Sequence, residues 1–308
     1  MKQKQNIAVL SGGFSEEKEV SKETSSEIAK ALNNAGFNTY KVDPANFDSY
    51  GKMMQYLKET KPMIVFNGLH GAEGEDGRIQ SLLSLNQIIF TGSNYKACAI
   101  AMDKYISSHL AHSIGVKTPK HILIKKNDDV DYNDLINKIC FPMSIKPNDS
   151  GSSVGISIIT EESEIEGAIE KAFKFSNKIL CEKYIKGREL TVTILNDAAL
   201  PVVEIKPKNG WYDYDNKYTE GNTIYEVPAK LSKEETSRIQ EYALKIFFLF
   251  DCKSYARVDF RYDGEDFYFL EVNTLPGMTP LSLTPMAAKE AGYDFTALLM
   301  EIINNAVN

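Results

Sequence analysis

The sequence lacks the cysteine arrangement that a disulfide-stapled or zinc-binding domain requires. Its four cysteines, Cys98, Cys140, Cys181 and Cys252, are far apart and form no C-x-x-C pair. Scattered thiols are typical of proteins kept in a reducing compartment. We therefore expect a cytoplasmic protein that has neither structural disulfides nor a zinc site.

Long apolar segments are missing as well. The longest apolar run, at 246–250, is far shorter than the roughly 20 residues that a membrane-spanning helix needs. The basic residues at the start precede an apolar run at 7–10 that is too short for a signal-peptide core. We expect no membrane contact.

Blocks of like charge are also absent, and the net charge is −7. The chain therefore has no basic surface of the kind that attracts nucleic acid or anionic lipid. We expect no nucleic-acid partner. Any anion that the protein binds has to be held by a local pocket.

Residues 1–95 alternate short apolar runs with helical stretches. The runs at 7–10, 39–42, 63–66 and 88–91 suit buried parallel strands. This pattern predicts a doubly wound parallel α/β domain, which binds ligands beyond the carboxyl ends of its strands.

Two loops follow predicted strands of this domain, SGGFSEEKEVS at 11–21 and NGLHGAEGEDG at 67–77. The first loop lacks the G-x-G-x-x-G spacing of a dinucleotide site. It is equally consistent with a tight turn into a helix whose early acids, Glu16, Glu17 and Glu19, complement the helix dipole. Both interpretations stay open on spacing alone.

The pattern changes after residue 95. Residues 96–186 read as a compact α+β domain with an antiparallel sheet, and residues 187–308 as a third region. The third region contains a polar tract at 207–225, which we expect to act as a lid over the site, and a long helix near 233–250.

A hairpin near the end of the chain carries the clearest chemical signal. Asp-Gly at 263–264 separates two alternating strands. Arg257 and Asp259 are two apart on one strand and share a face, as do Glu271 and Asn273 on the other. Hard oxygen ligands without His or Cys suit magnesium, although a solvated strand face is the simpler alternative.

The stretch IKPNDSGSSVGIS at 145–157 reads as strand, glycine-serine loop and strand. A phosphate loop of the P-loop type runs into a helix and has a different spacing. In a hairpin turn, the backbone N–H groups and hydroxyls of this loop can instead cover phosphates, with Lys146 supplying charge from beneath. The alternative is a flexible linker.

Several motifs in one order give the sequence a specific resemblance. They are GGFSEEKEVS, LHGAEGEDGRIQ, MDK, KPNDSGSSVG, EKYIKGRELTV, YDYDNKY, ARVDFR and LEVNTLPGMTPLS. With these motifs the chain resembles the D-alanine–D-alanine ligases of the ATP-grasp superfamily over nearly its whole length. The resemblance implies two ATP-grasp domains that clamp ATP between antiparallel sheets, with the glycine-serine loop as a flap.

The resemblance also implies roles for individual residues toward ATP and two Mg²⁺ (or Mn²⁺) ions. It assigns Asp259, Glu271 and Asn273 to the metal ions. Those assigned to ATP are Lys104, Lys146, Ser152, Ser153, Glu182, Lys183, Tyr184, Ile185, Glu189 and Lys217.

For the two D-alanine substrates the resemblance implies a second set. Glu17 and His70 would bind the first D-alanine, and Arg257 with the Gly277 N–H would form the oxyanion site. Residues implied around the second D-alanine and the transferred phosphate are Ser152, Lys217, Tyr218 and Ser282. Glu17, Ser152, Tyr218, Arg257 and Gly277 would act in catalysis, and a homodimer is expected.

Other functions remain to be weighed against this one. A D-alanine–D-lactate or D-alanine–D-serine ligase would use the same scaffold. A nucleotide-binding regulator would lack a ligand residue, and none is missing. A Rossmann-type oxidoreductase would need the glycine fingerprint that the first loop lacks.

Overall fold

Three sheets organise the chain. A computed structural model describes residues 5–208, 210, 219 and 221–306. Its three sheets have three, four and six strands in chain order. Their order along the chain, one parallel sheet followed by two antiparallel sheets, is the order that was predicted.

The first sheet is parallel, with strand order β2-β1-β3. Side chains alternate across it: Ile7 and Val9 enter one core, while Ala8 and Leu10 enter another on the opposite face. Helices therefore cover both faces, as a doubly wound domain requires. The elements are β1 (Asn6–Leu10), α1 (Lys18–Asn34), β2 (Asn38–Val42), α2 (Tyr50–Thr60), β3 (Ile64–Asn67), α3 (Ala72–Glu75) and α4 (Arg78–Leu85), with a 3-10 turn at Pro44–Asn46.

The predicted fourth strand at 88–91 is wrong as a strand. Only Phe90 forms a parallel bridge, to Val65. The chain then turns at Gly92, whose φ is +91°, and pairing stops. The prediction is wrong because an apolar run that makes only one bridge to a neighbouring strand has the same composition as a full strand.

The second sheet is antiparallel, with order β4-β7-β5-β6. Met143–Pro147 forms the strand predicted before the glycine-serine loop, and Ile145 pairs with Ser157 beyond it. The loop therefore joins two neighbouring antiparallel strands, as predicted. The elements are β4 (His121–Lys125), α7 (Tyr132–Ile139), β5 (Met143–Pro147), β6 (Ser157–Ile159), α8 (Ile165–Ala172) and β7 (Lys178–Lys183), with a 3-10 turn at Glu162–Glu164.

The third sheet has the order β11-β10-β8-β12-β13, with β9 paired to β8. Its apolar face packs against α9, where Ile246 and Phe247 meet Val258 and Phe260. The elements are β8 (Arg188–Leu195), β9 (Ala198–Ala199), β10 (Val203–Pro207), β11 (Thr223–Glu226), α9 (Lys233–Leu249), β12 (Tyr255–Tyr262), β13 (Phe267–Asn273), α10 (Leu283–Glu290) and α11 (Phe295–Asn304).

The predicted hairpin is confirmed. β12 and β13 pair so that Arg257 lies opposite Asn273 and Asp259 opposite Glu271. The Asp263 carboxylate accepts backbone N–H groups within the turn, and Gly264 takes a φ of +105° that suits glycine. The polar side chains therefore share one face, while the alternate residues fill the core.

Two helices connect the first and second sheets, α5 (Tyr95–Met102) and α6 (Lys104–Ser113). Ala97, Ala101 and Ala111 from these helices lie in the core of the third sheet, not of the second. The domain boundaries at 95/96 and 186/187 remain a prediction. Within the described residues, no helix is long and apolar enough to cross a membrane.

Candidate active site

A cavity of about 560 Å³ opens where the three parts of the chain meet. Its walls come from the first domain, from the glycine-serine loop with α6, and from the β12–β13 hairpin with the region after it. The predicted site residues that line it are Glu17, His70, Lys104, Ser152, Arg257, Glu271, Asn273, Gly277 and Ser282.

Glu17 lies at one wall of this cavity, just before α1 begins. The Ser152 hydroxyl donates a hydrogen bond to its carboxylate across 135 residues of sequence. Gly71 has a φ of +73°, and a Cβ there would stand 2.9 Å from the carboxylate. The first loop, the second loop and the glycine-serine loop therefore converge on one acidic group.

His70 is buried behind Glu17 and is held from both sides. Its Nε2 lies 2.9 Å from the Thr24 hydroxyl, and its Nδ1 lies 3.8 Å from the Glu75 carboxylate. The same Glu75 carboxylate accepts the Gly71 N–H at 3.0 Å. These contacts fix the imidazole at the cavity wall.

The glycine-serine loop covers the cavity with a tightly turned backbone. Ser152 and Ser153 have φ values of +50° and +58°. Non-glycine residues seldom adopt this region, and they do so where the surroundings impose it. The loop is therefore a tight turn between β5 and β6, and its role as a flap over phosphates stays a prediction.

Lys104 begins α6 and reaches into the cavity. Its ammonium donates to the Ser150 carbonyl at 2.7 Å and lies 3.3 Å from the Glu271 carboxylate. The residue is only 5% exposed. A buried cation between the loop and the hairpin is suited to an anionic ligand there.

Lys146 and Glu182 form an ion pair at 2.6 Å in which both side chains are buried. Lys146 is on β5 and Glu182 on the adjacent β7. The two side chains share a face of the second sheet. They do not line the cavity described above, but they extend the polar surface of the same sheet.

The end of β7 and the two residues after it form the predicted adenine site. The N–H groups of Lys183 and Tyr184 donate to the carbonyls of Lys120 and Pro142. The Arg261 guanidinium lies 5.2 Å above the Tyr184 ring and 3.1 Å from the Glu189 carboxylate. Arg261 therefore joins the adenine segment on the second sheet to Glu189 on the third.

The hairpin carboxylates are paired with protein cations. Arg257 binds Asp259 through two hydrogen bonds of 2.9 and 2.8 Å, and Thr191 donates to the same carboxylate. Asn273 accepts the Leu275 N–H at 2.8 Å. No three His, Cys, Asp or Glu side chains cluster as a metal site within the described ranges.

The donor chemistry nevertheless fits a hard divalent cation. The predicted ligands are two carboxylates and an amide oxygen on adjacent strands in register. Magnesium commonly takes few protein ligands and completes its shell with phosphate oxygens and water. Such a set depends on the nucleotide for its remaining ligands.

Gly277 and Ser282 lie in the turn that follows β13. The Ser282 hydroxyl lies 2.9 Å from the Thr279 hydroxyl. A Cβ on Gly277 would stand 3.0 Å from the Ser282 hydroxyl. Of the predicted lid, Thr219, Gly221, Thr223 and Tyr225 line the cavity. Lys217 and Tyr218 lie outside the described residues.

Some predicted site residues do not reach the cavity: Lys146, Ser153, Glu182, Lys183, Tyr184, Ile185, Glu189 and Asp259. Three residues that contact predicted site residues were not themselves predicted. Glu75 lies beside His70, Thr191 donates to Asp259, and the Asn148 carbonyl accepts the Lys104 N–H. Thr191 stands two residues after Glu189 on β8, so the two side chains point to the same face, and this spacing could have identified Thr191. Glu75 stands in a motif that was noted, yet nothing local singles it out.

Comparisons with known proteins agree with this geometry. Residues 110–304 match the family model described as the D-ala D-ala ligase C-terminus. The chain is 43% identical to the D-alanine–D-alanine ligase of Aquifex aeolicus, over 96% of this chain and 99% of that one. It is 38% identical to that of Syntrophotalea carbinolica, over 99% and 97% of the two chains.

Solved structures give the same result. The D-alanine–D-alanine ligase of Bacillus anthracis complexed with ATP superposes with a TM-score of 0.86 at 33% identity, covering 99% of this chain and 97% of that one. A D-Ala:D-Ser ligase of Enterococcus faecalis gives 0.83 at 29% identity, with 98% and 99% covered. The chain therefore belongs to the D-alanine–D-alanine ligase family.

Proposed function

We propose that this chain joins two D-alanine molecules into D-alanyl-D-alanine, with conversion of ATP to ADP and phosphate. The carboxylate of the first D-alanine attacks the γ-phosphorus, and ADP leaves. The amine of the second D-alanine then attacks the acylphosphate carbonyl, and phosphate leaves. The product is a precursor for peptidoglycan synthesis.

The observation that carries this proposal is the meeting of Glu17, Lys104 and Arg257 around one cavity. A carboxylate for an ammonium, a buried cation for phosphate and a guanidinium for an oxyanion are the groups that the two steps need. The glycine-serine loop would exclude water, which would otherwise hydrolyse the acylphosphate.

The family resemblance assigns the residue roles, and the positions of Glu17, His70 and Arg257 at the cavity support them. Glu17 binds the ammonium of the first D-alanine, with His70 beside its carboxylate. Arg257 and the Gly277 N–H stabilise the tetrahedral oxyanion. For the second D-alanine we assign Ser152, Ser282 and Tyr218, and for the γ-phosphate Lys217.

The ATP site is assigned to both antiparallel sheets. Lys104 and Lys146 hold the α- and β-phosphates, Glu182 with residues 183–185 receives adenine, and Glu189 binds the ribose. Two Mg²⁺ ions held by Asp259, Glu271 and Asn273 would neutralise phosphate charge as it shifts during transfer.

The test is incubation with ATP, Mg²⁺ and D-alanine, followed by chromatography of the dipeptide and an assay of ADP. We expect dipeptide from D-alanine and none from L-alanine. Glu271→Gln should abolish turnover with the circular dichroism spectrum unchanged. Glu241→Gln, the same change in an exposed helical pair with Lys245, is the matched control and should remain active.

A D-serine acceptor is the second candidate, because of the likeness to the Enterococcus faecalis enzyme. A competition among D-alanine, D-serine and D-lactate at neutral pH separates the candidates. We expect little depsipeptide, since the Glu17–Ser152 contact favours an amine over a hydroxyl nucleophile. D-Serine also attacks through its amine, so the competition itself decides between the two dipeptides, and we expect D-alanyl-D-alanine to dominate. Mainly depsipeptide or mainly D-alanyl-D-serine would overturn the acceptor assignment.

The family resemblance supports a cytoplasmic homodimer. Sedimentation equilibrium of the purified chain measures the assembly directly. A monomer at micromolar concentration with full activity would refute the dimer.

A further inference from the structure

Asn148 lies at the end of β5, two residues after Lys146, and it is fully buried. Its side-chain oxygen accepts the Tyr105 N–H at 2.9 Å, and its backbone carbonyl accepts the Lys104 N–H at 3.0 Å. Both donors belong to the first turn of α6. One residue of the second sheet therefore caps the helix that carries Lys104.

This cap joins two separately packed parts of the chain. Asn148 is tied to its own sheet, because its N–H donates to the Lys178 carbonyl at 2.9 Å. α6 instead packs with the third sheet, where Ala111 is fully buried. Asn148 thus links the sheet that carries Lys146 to the helix that carries Lys104.

The rest of the turn reinforces this link. Asp103 caps the Ile106 N–H at 3.0 Å, and its carboxylate lies 4.0 Å from the Lys178 ammonium. The Lys104 ammonium returns to the same loop at the Ser150 carbonyl. Lys104 is therefore held at both its backbone and its side-chain end by residues 148–150.

We propose that Asn148 is a positioning residue for nucleotide binding, whose side-chain oxygen keeps Lys104 and Lys146 at the spacing that the phosphates of ATP require. This rests on the proposed function in one respect, namely that both lysines contact ATP. The Asn148 amide nitrogen has no partner among the described residues. The proposal rests on the acceptor oxygen, which holds the Tyr105 N–H, and not on the amide N–H.

The variants follow from that distinction. Asn148→Ala removes the acceptor, and Asn148→Asp keeps it at a helix N-terminus, where a carboxylate is favoured. Asn94→Ala is the matched control, because Asn94 caps the neighbouring helix α5 through the Ala97 N–H and does not line the cavity.

The measurements are the Kd of ADP by calorimetry and the KM values of ATP and D-alanine. For Asn148→Ala we expect the nucleotide Kd and the KM of ATP to rise about tenfold, which corresponds to one lost hydrogen bond. The KM of D-alanine should stay within about twofold. Asn148→Asp should bind nucleotide like the wild type, as should Asn94→Ala.

Three results would overturn the inference: unchanged nucleotide binding in Asn148→Ala, a folded Asn148→Asp that binds as weakly, or an equal loss in Asn94→Ala. If Asn148→Ala does not fold, Asn148→Ser replaces it with the same expectations, since its hydroxyl is too short to reach Tyr105. A wild type that binds ADP but makes no dipeptide would instead contradict the proposed function alone.

Discussion

The ion pair between Lys146 and Glu182 allows a test in which the stability of the fold and the activity of the enzyme respond differently to mutation. Its atoms are 2.6 Å apart, and both side chains are less than a tenth exposed. At an effective dielectric constant near 20, that distance corresponds to a gross attraction of about 6 kcal/mol, most of which offsets desolvation. Removing one partner leaves a buried charge and should cost about 3–5 kcal/mol. Removing both should cost far less.

The perturbations are Lys146→Met, Glu182→Leu and the double variant. We expect each single change to lower the unfolding midpoint strongly and the double change to recover most of it, which requires a coupling free energy of at least about 3–5 kcal/mol, the size of one single loss. Dipeptide synthesis should nevertheless stay lost in the double variant, because the cation for the phosphates is gone.

Urea and thermal unfolding followed by circular dichroism give the stability cycle, and the coupled dipeptide assay gives the activity. The matched control is the pair Lys138–Asp134 on α7, whose atoms are 2.7 Å apart but whose side chains are about half exposed. Its coupling should be about 0.3–0.5 kcal/mol. Equal couplings in the two cycles, or an active double variant, would refute this reasoning.

Three further predictions concern the cavity and the surface. Arg257→Lys replaces a two-pronged donor, so kcat should fall about 100-fold while the fold survives, and a steady-state assay with circular dichroism measures both. Of the four thiols only Cys140 is exposed, and burial raises the pKa of the others to about 12, so Ellman's reagent should modify Cys140 alone until the protein is unfolded. Hydrogen bonds from Lys206 and Lys230 lower the pKa of Glu226 from 4.5 to about 2. The contribution of the Glu226 carboxylate to stability is therefore present above pH 4.5 and lost as the pH falls toward 2. The difference in melting temperature between wild type and Glu226→Gln should shrink over that interval. A difference that stays constant would contradict this prediction.

Local chemistry was enough to predict several elements from the sequence alone. The alternation around Asp263 and Gly264 predicted the hairpin and the shared face of Asp259 and Glu271, because side-chain direction in a strand repeats every second residue. The strand before the glycine-serine loop was predicted at its observed bounds for the same reason. The ordered motifs predicted the family, since each of them is specific and their sequence along the chain adds to that specificity.

Other features depend on how distant parts of the chain pack together, so only the tertiary structure could determine them. The run at 88–91 has the composition of a strand, but only Phe90 pairs, because the turn at Gly92 carries the chain away from the sheet. Asn148 reads as an ordinary loop residue, and only the approach of α6 makes it a cap. The bond between Ser152 and Glu17 spans 135 residues, so it exists only because the packing of separate parts of the chain brings two distant loops to one cavity.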